Sequence, residues 1–266
     1  MTRIAEDGLS KSLRVDNLNV RVYDSRLQMG QAAAAAVADE VRRLIRAPGR
    51  AVGIFASAPS QNEFLAALVA APGIDWTRVI GFHLDEYLGM ESQAPQSFRR
   101  FLLDRLVSKV PLGKFYGLHG ESTDPERVCT QYAELISLNA PDFAVLGIGE
   151  NGHLAFIDPP FCDFNDPAPV KVVELDEVCR RQQVHDGAFR SLEEVPRRAL
   201  SLTIPTIMAC PRLFAIAPGR AKQQAIRSVL EGEIETTCPA SALRLHTDAH
   251  LFIDRDAAGL LSRWGS

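Results

Sequence analysis

Short apolar runs alternate with longer helical segments along this chain. Residues 51–56 (AVGIFA) and 143–148 (FAVLGI) are continuous apolar runs, which are typical of parallel strands buried on both faces of a sheet. Residues 28–45, in contrast, are rich in alanine with charges near the end, which predicts a long helix. Further strands are predicted at 78–82, 115–118, 171–175, 199–203, 213–217 and 251–253, and further helices from about 62, at 96–107, at 125–138 and at 222–230.

This alternation predicts the fold class. Strands that alternate with helices are joined by crossover connections, so the sheet should be mostly parallel with helices on both faces. We predict an α/β protein with a single doubly wound (Rossmann-like) sheet, in which residues 1–266 form one domain. Residues 1–24 are weakly patterned and are predicted to form an N-terminal arm or an edge strand.

Composition and charge exclude several classes of protein. The net charge of -4 provides no basic surface for nucleic acid, so no nucleic-acid partner is expected. No apolar stretch approaches the roughly 20 residues that a membrane span requires. The five cysteines are scattered, odd in number and without metal-ligand spacing, which favours reduced thiols in the cytoplasm and no metal site.

Two strand ends carry residues that could do chemistry. The apolar run at 143–146 leads into Gly147, Gly149 and Gly152, and then directly into His153. Closely spaced glycines allow a tight turn and a close approach of a ligand to the backbone. Because ligands of open α/β sheets bind at the carboxyl ends of the strands, we expect His153 to enter a cleft.

The second strand end carries a pair of acids. An apolar strand near 78–82 runs into Asp85 and Glu86. The pair alone is equally typical of a helix cap or a solvated turn. If the strand geometry persists, the two side chains project in opposite directions, so only one of them can serve as a base in the cleft.

Together, the two segments resemble the signatures of the glucosamine-6-phosphate deaminase family (glucosamine/galactosamine-6-phosphate isomerases). That family has Asp-Glu-Tyr after one strand and Gly-x-Gly-x-(Asp/Asn)-Gly-His-x-Ala-Phe after another. Residues 85–87 and 147–156 match these two signatures. The resemblance continues in order through 195–196, 219–222 and 238–246, and covers about residues 50–255.

The resemblance implies an aldose–ketose isomerising deaminase without a metal or cofactor. Its substrate would be a 2-amino-2-deoxyhexose 6-phosphate, with glucosamine 6-phosphate expected first, and its products fructose 6-phosphate and ammonia. By position, Asp85 matches the base that moves a proton between C2 and C1, and His153 matches the residue that opens the ring. Asp158 matches a carboxylate that orients the histidine, although an aspartate before two prolines is also typical of a turn.

Two positions depart from the best-studied deaminases. Asn151 stands where they carry aspartate, and Asp158 stands where they carry glutamate. Asn151 can hydrogen-bond a substrate or the histidine but cannot carry a negative charge. We interpret this as a subfamily variant and keep Asn151 among the catalytic candidates.

The phosphate site is expected in a turn after the first buried strand. The family has a Thr-Gly-x-Thr-Pro-like turn there, and this chain has residues 57–61 (SAPSQ). The hydroxyls of Ser57 and Ser60 take the place of the threonines, but Pro59 has no amide hydrogen to donate. Ser60 could equally be a plain helix cap. The predicted substrate-binding set is completed by the residues Ala58, Gln61, Glu86, Gly152, Arg181 and Lys222.

The cations of this site are assigned by resemblance as well. Lys222 matches the phosphate lysine of the family, and the alternative is an ordinary surface lysine. The family often has an arginine where this chain has 182–183, so we expect Arg180 or Arg181 to replace it.

Two alternative functions stay open. One is a 6-phosphogluconolactonase-like hydrolase, which shares the fold, although the residues that follow the two strands favour the deaminase. The other is a non-catalytic sugar-phosphate sensor. A sensor that is also a transcription regulator would need a helix-turn-helix module, for which the roughly 25 residues before the first helix are too few. In each case the expected partner is a small sugar phosphate, and the sequence is compatible with a homo-oligomer.

Overall fold

An eight-stranded sheet forms the centre of the protein in the computed structural model, which describes residues 7–46 and 49–262. Seven of its strands are parallel, and only the first strand is antiparallel to its neighbour. A second, smaller sheet has three antiparallel strands. The strands are β1 (Leu9–Val15), β2 (Leu18–Tyr23), β3 (Ala51–Phe55), β4 (Val79–His83), β5 (Asp85–Tyr87), β6 (Lys114–Tyr116), β7 (Phe143–Leu146), β8 (Val170–Glu174), β9 (Arg198–Leu202), β10 (Arg212–Ile216) and β11 (Ala249–Asp254).

Helices cover both faces of the large sheet. The longest begins after Ser25, whose hydroxyl accepts a hydrogen bond from the backbone N–H of Gln28. Within the described ranges, no helix combines the length and the apolar character that a membrane span requires. The α-helices are α1 (Arg26–Ile45), α2 (Asn62–Val69), α3 (Phe98–Leu102, continued by a π-helical turn at Leu103–Val107), α4 (Pro125–Leu138), α5 (Glu177–His185), α6 (Ile204–Met208) and α7 (Gln223–Glu231).

The continuous apolar strands are explained by a core on each face of the sheet. In β7, Phe143 and Val145 belong to the hydrophobic cluster under α1 and α2, whereas Ala144 and Leu146 belong to the cluster on the opposite face. All four side chains are almost completely buried. Strands of this kind have no solvent-facing side and so show no polar alternation.

The strand order places a topological switch point between β3 and β7. The order is β1-β2-β11-β10-β7-β3-β4-β6. From β3 the chain proceeds outward to β4 and β6, then returns to β7 on the other side of β3 and continues outward to β10 and β11. The loops after β3 and β7 therefore leave the sheet in opposite directions and open a crevice, which is the usual ligand site of such sheets.

The structure confirms the mostly parallel α/β fold but corrects the expectation of a single sheet. The strands predicted at 171–175 and 199–203 are β8 and β9, and they form the small sheet with β5, which was not predicted as a strand. Periodicity identifies a strand but not the sheet to which it belongs. The segment predicted as an N-terminal arm or an edge strand forms a hairpin of β1 and β2, with β1 at the edge of the large sheet, while residues 1–6 lie outside the described ranges.

Candidate active site

A cleft of about 220 Å³ lies at the carboxyl ends of β3, β4, β7 and β10. It includes the switch point of the large sheet, as expected for an open α/β fold. Of the predicted site residues, the cleft is lined by Ser57, Ala58, Ser60, Asp85, His153 and Lys222. The other predicted residues do not line it; these are Gln61, Glu86, Asn151, Gly152, Asp158 and Arg181.

Asp85 is a buried carboxyl group that faces the cleft. Asp85 is the first residue of β5, directly after β4, and only 5% of its surface is exposed. Among the residues that the structure describes, none donates a hydrogen bond to this carboxyl group. Burial raises the pKa of Asp85 well above its usual range, and the negative charge of Glu86 raises it further. A carboxylate of this kind binds a proton readily and so suits a general base.

Glu86 has a structural partner and not a place in the cleft. Its carboxylate accepts hydrogen bonds from the Ser97 hydroxyl (2.7 Å) and from the backbone N–H groups of Phe98 (3.1 Å) and Arg99 (2.9 Å). It therefore caps the first turn of α3, where an anion is stabilised by the free N–H groups. The prediction that Glu86 binds substrate does not agree with this geometry, because α3 already occupies both carboxylate oxygens.

Glycines determine the course of the loop after β7. A side chain at Gly149 would meet the His153 ring at 2.3 Å, so the loop closes only around a residue without a Cβ. Gly152 has a φ of +83°, and a side chain there would meet Cys238 at 2.9 Å. Gly152 is thus explained by the loop conformation, and not by the predicted contact with substrate. Ala155, which lines the cleft, also has a positive φ of 52°, a strained conformation of the kind that concentrates at functional sites.

His153 is oriented by two neighbouring side chains. Its Nδ1 lies 2.8 Å from Oδ1 of Asn151 and 3.1 Å from Oδ1 of Asp158. The Asn151 amide in turn donates to Oδ1 of Asp158 at 3.0 Å. Both contacts to the ring use Nδ1, so Nε2 is the nitrogen that can exchange a proton with a ligand in the cleft.

Asp158 is completely buried but surrounded by donors. Besides His153 and Asn151, the backbone N–H of Asp176 donates to its Oδ2 at 2.8 Å. Burial acts to raise the pKa of Asp158, but the hydrogen bonds and the charge of His153 outweigh it and lower the pKa below the usual value. The carboxylate therefore stays ionised, and the sequence alternative of a plain turn aspartate does not account for these contacts.

Two elements that line the cleft offer groups suited to an anion. Ser57 is 3% exposed, lines the cleft, and its hydroxyl has no hydrogen-bond partner among the described residues. Lys222 lies directly before α7 and is 7% exposed, and burial lowers its pKa. The alternative explanation of Ser60 as a plain N-cap is not supported, because no side-chain cap bond is present at either the turn at Pro59–Gln61 or α2.

The two arginines expected to replace the family's arginine lie elsewhere. Arg180 donates to the backbone carbonyls of Leu192 and Val195, and Arg181 is exposed and pairs with Glu177. Both are on α5, but a different residue of this helix faces the cleft. That residue is Gln182, whose Oε1 accepts from the backbone N–H of Glu150 at 2.8 Å.

The sequence did not identify several residues that line the cleft. Arg26 begins α1, two residues before the predicted helix start, and the signal for it was the capping serine that precedes it. Asp186 follows α5 one turn after Gln182, so it appears on the same helix face. No sequence signal distinguishes Arg220, which lies in the turn before Lys222.

One group of side chains in the described part of the chain could hold a metal ion. The ligand atoms of His153, Asp158 and Cys179 lie within 4.8 Å of one another, and all three residues are buried. Burial and the neighbouring Asp158 raise the pKa of the Cys179 thiol well above its usual value, so it remains protonated at neutral pH. With the thiol protonated and Asp158 occupied by donors, the cluster is better described as a hydrogen-bond network. The absence of a metal remains a prediction.

Residues 24–252 match the model of a protein family described as glucosamine-6-phosphate isomerases/6-phosphogluconolactonase. The chain is 35% identical over 204 residues to a glucosamine-6-phosphate deaminase of Listeria monocytogenes serotype 4b (strain CLIP80459), an alignment covering 76% of this chain and 84% of that protein. A solved monomeric glucosamine-6-phosphate deaminase superposes with a TM-score of 0.82 at 31% identity, covering 91% of this chain and 99% of that one. A 6-phosphogluconolactonase of Shewanella baltica OS155 superposes with a TM-score of 0.73 over 93% of this chain and 99% of that one, but at 19% identity this similarity shows only the shared fold.

Proposed function

Because the chain belongs to the family of glucosamine-6-phosphate isomerases and 6-phosphogluconolactonases, we propose that it is a deaminase of 2-amino-2-deoxyhexose 6-phosphates. It converts glucosamine 6-phosphate, the first substrate to test, and water to fructose 6-phosphate and ammonia, and any other 2-amino-2-deoxyhexose 6-phosphate to the corresponding ketose 6-phosphate. The observation that carries this proposal is the pairing of Asp85 with His153 in one cleft. The deaminases among its relatives support the choice of reaction.

His153 opens the pyranose ring. Ring opening moves a proton from the hydroxyl on C1 to the ring oxygen. An imidazole nitrogen can accept a proton from the hydroxyl and donate a proton to the ring oxygen. Asn151 and Asp158 hold Nδ1, so Nε2 is presented to the substrate in a fixed orientation. These two residues are positioning residues for His153 and need not touch the substrate.

Asp85 transfers the proton between carbons. It removes the proton from C2 of the open-chain aldose, which produces an enolamine, and returns a proton to C1, which leaves an imine at C2. Water adds to this imine and ammonia leaves. The raised pKa of Asp85 suits this step, because the same carboxyl group must first accept and then release a proton. Its short side chain at the start of a strand keeps the carboxylate in place.

The substrate phosphate lies against the turn after β3 and near Lys222. The Ser57 hydroxyl, buried and without a protein partner, is a ready donor to a phosphate oxygen. Lys222 supplies a positive charge in a partly desolvated place, where a charge-assisted hydrogen bond is strong. The Ser60 hydroxyl, also in the cleft wall, can add a further donor.

The enzyme acts in the cytosol on this proposal. All five cysteines are free in the structure, which agrees with a reducing compartment. The net charge of -4 gives no support to a nucleic-acid partner, and the sugar phosphate is the expected small-molecule partner.

An ammonia-release assay tests the proposal. The purified protein is incubated with glucosamine 6-phosphate, galactosamine 6-phosphate and unphosphorylated glucosamine, and ammonia and ketose 6-phosphate are measured together. We expect equimolar products from at least one phosphorylated substrate and little from free glucosamine. A parallel incubation contains 6-phosphogluconolactone, and its hydrolysis, together with no ammonia from any of the amino sugars, would support the lactonase alternative. Binding of the sugar phosphates without turnover would support a sensor.

A further inference from the structure

The cleft contains fewer cations on its α5 wall than the resemblance led us to expect. A sugar phosphate carries close to two negative charges at neutral pH. The α5 wall presents the amide of Gln182 and the carboxylate of Asp186, with Gln182 Nε2 3.3 Å from Asp186 Oδ2. Arg180 and Arg181 point to other partners. The α5 wall of the cleft therefore supplies no positive charge to accompany Lys222.

A guanidinium lies instead on the opposite wall, at the start of α1. Arg26 is the first residue of this helix and lines the cleft. Its Nε forms an ion pair with Oε2 of Glu63 at 2.8 Å, and one Nη donates to the backbone carbonyl of Pro59. Pro59 belongs to the same turn as Ser57, so the guanidinium is fastened directly to the predicted phosphate turn.

Arg26 stands at a helix start, where a positive charge is normally unfavourable, and the Glu63 carboxylate is the anion that pairs with it. Free N–H groups make the N-terminus of a helix partly positive, and acidic residues are preferred there. The first turn of α1 contains no acidic residue but does contain this arginine, whose side chain is 39% exposed. An anion bound in the cleft would be attracted by both the helix end and the guanidinium.

We propose that Arg26 is a phosphate ligand of the substrate and, with Ser57 and Lys222, takes the role that an α5 arginine has in relatives. A guanidinium has five N–H donors, and the Pro59 carbonyl accepts a hydrogen bond from one of them, on an Nη. The contact to Glu63 is an ion pair without a hydrogen bond, since Nε of Arg26 has no hydrogen-bond partner among the described residues. The remaining donors can bind phosphate oxygens without breaking the contact that holds the turn. Arg220 also lines the cleft, but it is 83% exposed and pairs with Asp256, so it contributes less. This inference rests on the proposed phosphorylated substrate.

The test measures phosphate binding directly, apart from catalysis. The dissociation constant of inorganic phosphate is determined by titration calorimetry for the wild type and for Arg26→Ala, Arg26→Gln and Arg26→Lys. Arg42→Ala is the matched control: Arg42 is also on α1, is paired with an aspartate at 2.6 Å and donates to the carbonyl of Pro72, but does not line the cleft. We expect Arg26→Ala to weaken phosphate binding about ten- to a hundredfold and Arg42→Ala to leave it unchanged.

The two other variants separate a ligand from a structural contact. Glutamine can still donate to the Pro59 carbonyl but carries no charge, whereas lysine keeps the charge. If Arg26 binds phosphate, lysine restores part of the affinity, glutamine does not, and KM for glucosamine 6-phosphate rises by the same factor while kcat changes little. Restoration by glutamine, or wild-type affinity in Arg26→Ala, would overturn the inference.

These outcomes are distinguishable from failure of the proposed function. A wild-type protein that releases no ammonia but binds phosphate through Arg26 would contradict the deaminase and leave the inference supported. If the wild-type protein deaminates glucosamine 6-phosphate and Arg26→Ala has the same KM, the deaminase is supported and the inference about Arg26 is contradicted.

Discussion

Asp85 and Asp158 are two buried aspartates of one site, and their surroundings differ in nearly every other respect. Asp85 faces the cleft, receives no hydrogen bond from the described residues, and has the negative charge of Glu86 beside it. Asp158 lies behind His153 and accepts from Asn151 and Asp176 as well as contacting the His153 ring. The pKa of the first is raised and that of the second is lowered.

Burial alone does not determine the charge of a carboxyl group. Where donors are absent, burial favours the protonated form; where three donors converge, the carboxylate is stabilised despite complete burial. The two aspartates can therefore hold different roles at one pH. Asp85 can exchange a proton, and Asp158 serves as a fixed anion that orients a histidine, much as paired acids are separated in other enzymes.

The two pKa shifts have opposite consequences for stability. A carboxyl pKa that is raised on folding makes the folded state relatively less stable as the pH rises from the unfolded to the folded pKa. The raised pKa of Asp85 thus lowers the free energy of unfolding at neutral pH. The lowered pKa of Asp158 contributes stability that is present above its unfolded pKa and is lost as the pH falls through the folded pKa.

The largest effect is expected for Asp85→Asn. The amide keeps the shape and cannot accept the proton, so kcat should fall about 10²–10⁴-fold, while KM changes little. The same substitution removes a carboxyl group whose raised pKa costs stability at neutral pH, so the melting temperature at pH 7 should rise. Kinetics and thermal melts check both parts, and a folded variant that is less stable than the wild type would contradict the destabilising effect assigned to Asp85.

His153→Gln should reduce turnover by a similar factor, but mainly for the closed pyranose form of the substrate. If His153 opens the ring, turnover of the closed pyranose falls about 10²–10⁴-fold, whereas proton exchange on an open-chain analogue is reduced far less. Rates on the two substrate forms are compared in the same preparation. An equal loss on both forms would mean that His153 does not act in ring opening.

Asp158→Asn should lower the stability of the protein, in contrast to the rise in stability expected for Asp85→Asn. The neutral side chain places an amide where donors already converge, so the free energy of unfolding should fall by about 1.5–3 kcal/mol. Turnover should fall less than in Asp85→Asn, because the remaining oxygen can still accept from Nδ1 of His153. Denaturant unfolding at pH 7 measures the first part, and unchanged stability would contradict the role of a fixed anion.

The smallest effect is expected for Glu86→Gln. Burial is the main cause of the raised pKa of Asp85, and the charge of Glu86 is the second. Removing that charge should move the acidic limb of kcat/KM to lower pH, while the amide oxygen retains part of the cap of α3. The full pH profile is the measurement. A limb that does not move would show that Glu86 has no influence on the base.

Much of the site was predictable because of one rule of topology. Asp85 and His153 follow different strands, and strand ends of a parallel sheet meet at one edge, so the sequence placed both in the same cleft. The partner of Glu86 was not predictable, because it depends on how α3 packs against β5. Arg181 failed for a similar reason: a one-residue difference in helix phase turns Gln182 and not Arg181 toward the cleft.

A helix boundary and a loop glycine were two further sources of error. Arg26 lay just outside the predicted first helix, since boundaries are less certain than the existence of an element. Gly152 was assigned to substrate, although the loop needs it for a positive φ and for space beside Cys238. Sequence identifies residue types suited to chemistry, but the direction of each side chain is decided by packing.

The central claim is that Asp85 carries the proton between C2 and C1, and isotope exchange tests it most directly. Glucosamine 6-phosphate is incubated in deuterium oxide with wild-type protein and with folded Asp85→Asn, and deuterium is measured at C1 of the ketose product and at C2 of recovered substrate. The account predicts incorporation by the wild type and a rate lower by about 10²–10⁴-fold in the variant. Incorporation by Asp85→Asn at the wild-type rate would contradict the account.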